Sequence, residues 1–373
     1  LSLHDAFRSG LLEALADRGV EIFLVIEKGN ASPKFNNKNI SVNLLKHQKR
    51  ILRFLELFFV VKKQIQNGFE KSFIRISAPS ALTAILAHRI YGGYVYLWQS
   101  GTTIEFDAAQ PINIKKLKWY LFSYIPNKLA RKYVHYFVTG PKTMVEYYSN
   151  VGGIDKTKIR LLFNDIDIKR FTPPANRSNQ KRKFLKSHNL PEETLVLLLV
   201  HRLSPVRRTS LYFPYCLKYL REVGLLDRTL TIVAGDGPEL SQVKSQARAY
   251  TLENNCVFLG NVPNSEIQNL YAIADVFLHP TYNEGFPRVI LEAMASGLPI
   301  VSTDAGGTIE LVGKQQLNYI SSKDDHFEFA YLLEKLIVCQ KTRKELSLEN
   351  QEVVKHFSTE KIAKMYEEVL FPK

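Results

Sequence analysis

A chain of 373 residues is longer than one ordinary hydrophobic core, so two domains are expected. Its 45% hydrophobic and 23% charged residues exclude a disordered chain, and no run approaches the roughly 18–20 apolar residues of a membrane-spanning helix. The net charge of +14 is uneven: residues 1–190 carry 31 Lys and Arg against 13 Asp and Glu, and the remainder carries 19 against 23. That split suits two domains with different partners, the first facing nucleic acid, an anionic membrane or a phosphorylated acceptor.

In chain order, Leu3, Phe7, Leu11, Leu12 and Leu15 stand at helical spacing and Gly19 ends the run, which predicts a first helix over 3–18. Residues 20–26 read as a buried strand, 51–65 as a helix, 73–77 as a strand, 81–91 as a helix and 94–98 as a strand. A strand over 133–139 and a helix starting at 144–148 continue the alternation, which predicts a parallel, doubly wound sheet. Such a domain opens with a strand and a Gly-rich turn, whereas the sequence starts at Leu1 within a helical pattern, so that strand is expected upstream.

Residues 172–190 are Pro-rich, then polar and basic, and have linker composition. The pattern then restarts with strands over 195–200, 229–234, 257–259, 276–279 and 300–302. Helices are expected over 211–223, 240–249, 265–274 and 287–296, with another starting at 308–311, and the tail 358–370 is amphipathic with Ser358 as its expected N-cap. Five loops that should share one sheet edge are rich in Gly and polar residues: 201–209, 234–239, 260–264, 281–287 and 303–308. Ligands of open α/β sheets bind at that edge, where glycine admits a close ligand and helix starts offer N–H groups to an anion. Arg202, Arg207 and Arg208 complement a phosphate there, although arginines after a strand are as often a solvated loop.

The segment NEGFPRVILE (283–292) holds two carboxylates around a Gly285–Phe286–Pro287 turn. Pro287 suits the first turn of a helix, which leaves Glu284 in the loop within reach of a ligand and Glu292 more than one turn inside, able to accept from adjacent hydroxyls. The plainer readings are a favourable contact of Glu284 with the helix start, about 0.3–1 kcal/mol, and a surface position for Glu292.

Glu284 and Glu292, within HPTYNEGFPRVILEAMASGLPIVSTDAGG, resemble the E-x7-E signature of family 4 glycosyltransferases, which have the GT-B fold. HRLSPVRR, VAGDGPE, FLGNVP and LLFNDIDIKRF are similar to further family segments, so the likeness covers nearly the whole second half and, more loosely, the first. It implies two doubly wound, Rossmann-like domains facing a cleft: 1–171 on the acceptor side, joined by 358–373 as a helix crossing back, and 191–357 on the donor side. It also implies retaining transfer of a hexosyl group from a nucleotide diphosphate sugar to a glycan or lipid-linked acceptor, in glycolipid, oligosaccharide or cell-surface polysaccharide synthesis. Arg202 with Arg207 or Arg208 would hold the diphosphate and stabilise the leaving group, and Glu284 with the backbone of Gly285 and Phe286 would position the sugar. Glu292 would take the ribose hydroxyls, the loop Gly260, Asn261, Val262 and Pro263 would flank the base, and Asn283 and Pro287 would complete the donor site. Trp98 and Gln99 end the strand from which the family addresses its acceptor, where a histidine is usual. The family also usually has Gly at position 201 and Lys-Gly at 207–208, where this chain has His201, Arg207 and Arg208.

No metal or other cofactor is expected, because guanidinium groups can meet the charge of the departing diphosphate. Asp165 and Asp167 are read as part of the inter-domain turn rather than a metal pair, and His279 as structural. Residues 44–64 mix apolar side chains with Lys46, Lys49, Arg50, Arg53, Lys62 and Lys63, which fits an ordinary crossover helix or docking on an anionic leaflet. The three scattered cysteines and the want of a signal-like N-terminus suggest a cytoplasmic setting. The basic first domain suits a phosphorylated, lipid-linked acceptor and a place peripheral to the inner face of the membrane, and nucleic acid is not expected as a partner because the phosphate loops sit in the acidic half and no recognition motif appears. The rival readings are another nucleotide-sugar enzyme of this fold, an epimerase or phosphorylase, and a non-catalytic nucleotide-sugar-binding paralogue.

Overall fold

The computed structural model describes residues 10–29, 32–101 and 114–372. It divides into two compact units, one running to Asp165 and resumed from Thr359, the other Ile166–Ser358. Residues 3–9 of the first expected helix lie outside the described residues. No helix among those described is long and apolar enough to cross a membrane.

In the first unit, β1 (Ile22–Ile26) pairs in parallel with β2 (Ile40–Leu44). A second sheet follows in the order β3 (Lys71–Arg75), β4 (Tyr94–Trp98), β5 (Tyr136–Thr139), β6 (Ile159–Leu161), again all parallel. Parallel strands are joined by crossover helices that cover both faces, which is why β4 reads as an unbroken apolar run and Val95 and Leu97 are fully buried. Ala81 and Ala84 of the helix Ala78–Tyr91 pack on that sheet with Phe137 and Tyr148. The helix Thr359–Leu370 belongs to this unit: Tyr366 lies 5.6 Å from Phe73 by ring centroids, and Glu367 accepts from Arg18 Nε at 2.5 Å. A mostly apolar cavity of about 270 Å³ separates β1 from β3, lined also by Leu15, Leu57 and Tyr366. It contains none of the residues singled out for chemistry and belongs to the packing of this unit.

The second unit is a six-stranded parallel sheet in the order β12 (Ile320–Ser321), β11 (Ile300–Thr303), β10 (Val276–His279), β7 (Leu195–Val200), β8 (Thr229–Ala234), β9 (Cys256–Gly260). From β7 the chain first winds outward through β8 and β9, then returns to the other side of β7 and winds outward through β10 to β12. The order therefore reverses between β7 and β10, and the loops leaving these two strands part in opposite directions. Leu197, Leu198 and Leu199 at the centre are fully buried beneath helices on both faces, with Leu217, Leu333 and Leu336 among their covering residues.

The structure corrects several expected boundaries. Residues 177–187 of the stretch read as a linker form a helix, Arg177–Ser187. Three of its basic residues are partnered: Arg177 donates to Ala274 O, Lys181 Nζ meets Asp275 Oδ2 at 2.6 Å and Arg182 Nε meets Glu192 Oε2 at 2.9 Å, while Leu185 is fully buried. The helix after the Gly285–Pro287 turn spans Arg288–Ala295, with Pro287 as its N-cap rather than its first residue. The strands β2 and β6, and the helices Ile125–Tyr133, His326–Val338 and Gln340–Val353, were not anticipated.

A buried amide relay ties the last of these helices to the sheet. Asn350 Nδ2 donates to Gln316 Oε1 at 2.9 Å and to Leu298 O at 2.8 Å, and Gln316 exchanges both its amide groups with the backbone of Ile300 at 2.7 and 3.0 Å. Replacing Gln316 by Leu orphans the Ile300 N–H and C=O together. The variant should lose about 2–5 kcal/mol in urea denaturation; a midpoint within error of the parent would show that the relay is dispensable.

Candidate functional site

The carboxyl edge of β7 and β10, where the strand order reverses, gathers the arginines and acids singled out above. The loop after β7 turns at Ser204, whose carbonyl accepts from Arg207 N at 2.8 Å, and Tyr282 N donates to Arg207 O at 2.9 Å, which joins the loops of the two strands. Arg208 stands in the left-handed region at φ 54° before the helix Thr209–Glu222. The loop after β8 presses on this one: Gly235 has φ 155°, and a Cβ there would lie 2.0 Å from His201 O. The loop after β11 likewise meets the acid-bearing turn, with a Cβ on Gly306 falling 2.1 Å from Glu284 O and Gly307 N donating to Gly285 O at 3.1 Å. Both positions demand glycine.

At the centre Glu284 forms an ion pair with Arg207 through Oε2 and Nη1, the two side chains being 15% and 24% exposed. Its other oxygen, Oε1, accepts from Gly285 N at 3.1 Å. Burial pushes the Glu284 carboxyl up, but Arg207, His279 and the Gly285 N–H outweigh it and hold the group below its usual value, so it is a carboxylate at neutral pH. His279, wholly buried at the end of β10, has Nε2 3.9 Å from Glu284 Oε2. Burial, opposed by Glu284 and assisted by Arg207, lowers its pKa to about 4. His201 packs edge-on against it with ring centroids 5.7 Å apart and shares a hydrogen bond of 2.6 Å between Nε2 and Thr209 Oγ1. Burial again keeps this imidazole well below its usual range, with Arg207 and His279 adding to the effect. The edge therefore presents a fixed carboxylate, a guanidinium and two neutral imidazoles, and both ring nitrogens of His279 lack a hydrogen-bond partner among the described residues.

The remaining candidates are placed as follows. Arg202 is exposed and makes no hydrogen bond among the described residues. Arg208 stacks its guanidinium 3.6 Å from the Tyr282 ring centroid, with Lys323 Nζ 5.4 Å from the same ring. Glu292 is half-buried on the helix Arg288–Ala295, and its Oε2 accepts from the Tyr271 hydroxyl at 2.9 Å. Gly260, at φ 64°, accepts from Gly235 N at 2.8 Å, so the loop running on through Asn261, Val262 and Pro263 adjoins that of β8. Phe286 and Pro287 are buried beneath the turn, and Asn283 O accepts from Thr281 Oγ1 at 3.1 Å. In the first unit Trp98 is buried with Arg75 4.3 Å from its ring centroid. Gln99 is held on both ends of its amide, donating to Asn127 Oδ1 at 2.6 Å and accepting from Arg131 Nε at 2.9 Å. Asp167 caps the helix Ile168–Phe171 and Asp165 accepts from Thr359 Oγ1 at 2.9 Å, both structural duties.

Sequence reasoning took His279 as structural only and passed over Tyr282 and Lys323. A polar residue closing the apolar strand VFLH at the carboxyl edge was the available signal for His279. Tyr282 and Lys323 converge only through the fold.

Residues 180–353 match the family model of glycosyl transferases group 1. UDP-Gal:α-D-GlcNAc-diphosphoundecaprenol α-1,3-galactosyltransferase of Escherichia coli is 30% identical over 173 residues, 46% of this chain and 43% of that enzyme, so the match spans less than half of its length. N,N'-diacetylbacillosaminyl-diphospho-undecaprenol α-1,3-N-acetylgalactosaminyltransferase of Campylobacter jejuni is 24% identical over 312 residues, 82% of this chain and 79% of its own. Among solved structures, HepE of Anabaena in complex with UDP and glucose matches 96% of this chain and 94% of its own with a TM-score of 0.72 at 17% identity. That likeness shows the GT-B fold, and the family match with this fold supports a glycosyltransferase.

The two imidazoles give the site a pH signature. Unfolded, a histidine takes up its proton near 6.5, whereas folded His279 does so only near 4. Its contribution to stability is therefore complete above pH 6.5 and lost as the pH falls towards 4, up to about 3 kcal/mol. Chemical denaturation from pH 7 to pH 4.5 should show this loss, and His279→Asn should flatten it; an unchanged slope would remove His279 from the titration.

Proposed function

We propose that this chain is a retaining, E-x7-E glycosyltransferase of family 4 that moves a hexosyl group from a nucleotide diphosphate sugar to a glycan or lipid-linked acceptor. The observation that carries the reading is the partly buried Arg207–Glu284 pair at the point where the strand order reverses, between loops that glycine holds tightly together. HepE was solved with UDP and glucose, and both relatives named above are named for transfer of a galactosyl or N-acetylgalactosaminyl group to a diphospho-undecaprenol-linked sugar, which supports a uridine donor and a lipid-diphosphate acceptor.

The donor's diphosphate lies among Arg202, Arg207 and Arg208. Arg207 has five N–H donors, and those not engaged by Glu284 remain to meet phosphate oxygens. Glu284 accepts from the sugar hydroxyls, its carboxylate kept ionised by Arg207, and His279 offers its partnerless nitrogens beside it. The backbone of Gly285 and Phe286, with Asn283 and Pro287 framing the turn, positions the transferred group, the Gly285 N–H acting through Glu284, to whose Oε1 it donates. Glu292 keeps Oε1 for the ribose hydroxyls while Tyr271 fixes Oε2, and Gly260–Pro263 flank the base. In the first unit Trp98 and Gln99 mark the strand end that serves the acceptor.

In the reaction the bond from the anomeric carbon to the diphosphate oxygen breaks. The acceptor oxygen bonds to that carbon on the same face, and its proton leaves with the nucleotide diphosphate. Negative charge grows on the departing diphosphate, and fixed guanidinium groups stabilise it without reorganisation, so no metal is required.

Incubation with UDP-hexose and a lipid-diphosphate acceptor should release UDP in step with acceptor consumption and leave the anomeric configuration of the sugar unchanged. Glu284→Ala should lower turnover by about 10²–10³ or more while UDP still raises the melting temperature; undiminished turnover would refute the role of Glu284. Transfer should also persist in EDTA, and its loss with recovery on adding Mg²⁺ would overturn the metal-free reading.

A further inference from the structure

The first unit exposes an apolar face that the transfer chemistry does not use. The helix Ala78–Tyr91 packs between Arg50–Gln66 and Ile125–Tyr133, and the last continues a run that begins with Ile114–Trp119 and a π-helical turn at Tyr120–Tyr124. Along this run Leu117, Leu121, Ile125, Leu129 and Tyr133 recur every fourth residue, each 39–60% exposed. Ile51, Leu55 and Phe59 repeat the spacing on Arg50–Gln66 at 76%, 53% and 60% exposure, and Leu86 and Ile90 add to it from the helix between. Cations stitch the three helices together at the surface. Arg50 Nη2 donates to Phe122 O at 3.0 Å, Lys62 lies 5.1 Å from the Tyr91 ring centroid, and Arg89 lies 4.8 Å from that of Tyr133.

Charge along the helices that carry this face is nearly all of one sign. The segments 50–66, 78–91 and 114–133 hold eleven Lys and Arg and a single acid, Glu56. That carboxylate is already engaged by the backbone N–H groups of Lys46 and His47, each at 2.9 Å. Contiguous exposed apolar surface on this scale marks a binding site. A second copy of the chain would set these cations against each other, and like charges across an interface cost several kcal/mol. Nucleic acid would use the cations and leave the leucine rows in water. An anionic bilayer uses both, because apolar side chains enter the headgroup boundary, tyrosines sit at the interface and lysines reach outward to phosphates.

We propose that the face formed by Arg50–Gln66, Ala78–Tyr91 and residues 114–133 docks the first unit on an anionic membrane surface. Docking of this kind is independent of the transfer reaction and is read without it. The protein should float with phosphatidylcholine vesicles that contain phosphatidylglycerol, bind pure phosphatidylcholine poorly, and be released by raised salt, which screens surface attraction. Replacing exposed Lys118 and Lys128 by Glu should lower partitioning by about thirtyfold or more. Leu121→Ser with Ile125→Ser should lower it by about tenfold or more on the same vesicles. Circular dichroism melts within error of the parent will establish that both variants are folded. Flotation of either variant equal to the parent, or no flotation of the parent on anionic vesicles, overturns the proposal. So does a concentration-dependent dimer that Leu121→Ser abolishes, since the face would then belong to a second copy.

Discussion

Glu284 can be ionised beneath the surface of the second unit only because Arg207 stands against it. An unpaired carboxylate in that position would take up a proton or drag water in. The pairing in turn requires the loops of β7 and β10 to arrive side by side, and adjacent strands whose chain connections diverge are what deliver them. The glycines follow from the same requirement. Gly235 and Gly306 sit where neighbouring backbone is too close for any side chain, and that closeness keeps His201 and the Glu284 turn at fixed separation. The neutral imidazoles complete the arrangement: they pack tightly around the pair without adding a third charge to it.

Much of this was legible in the residues. The strands at 94–98, 195–200, 229–234 and 276–279 were readable to the residue because buried parallel strands are short apolar runs with polar ends. The Glu284–Gly285–Phe286–Pro287 turn stood out because glycine, proline and an acid before an apolar run have few other uses. Failures came where composition and contact part company. The segment 172–190 looks solvated, yet Lys181 and Arg177 find Asp275 and a helix end, which no local pattern announces. The short strands β2 and β6 lack a distinctive apolar run and are held mainly by pairing. In the site, the partnership of Arg207 with Glu284 spans 77 residues and belongs to topology rather than to spacing.

The two units divide their physical work by charge and polarity. At the site edge of the second, Arg207 and Glu284 are partly buried and compensate each other beside two neutral imidazoles. The first keeps its charge outside, with cations distributed along apolar ridges and hardly an acid among them. Gln99 and Arg131 are exceptions that prove informative: they form a closed polar network with Asn127 at the end of β4, giving that strand end a rigid amide platform.

The helix Thr359–Leu370 belongs to the first unit, although it follows the whole of the second along the chain. During synthesis the second unit has all of its strands and helices once Ser358 has emerged from the ribosome. The first must wait for the segment that carries Tyr366, Leu370 and the partner of Arg18. The order of completion is therefore the reverse of the order of translation. Until the helix Thr359–Leu370 has been made, Phe73 and its neighbours in the first unit lack the cover that Tyr366 gives them.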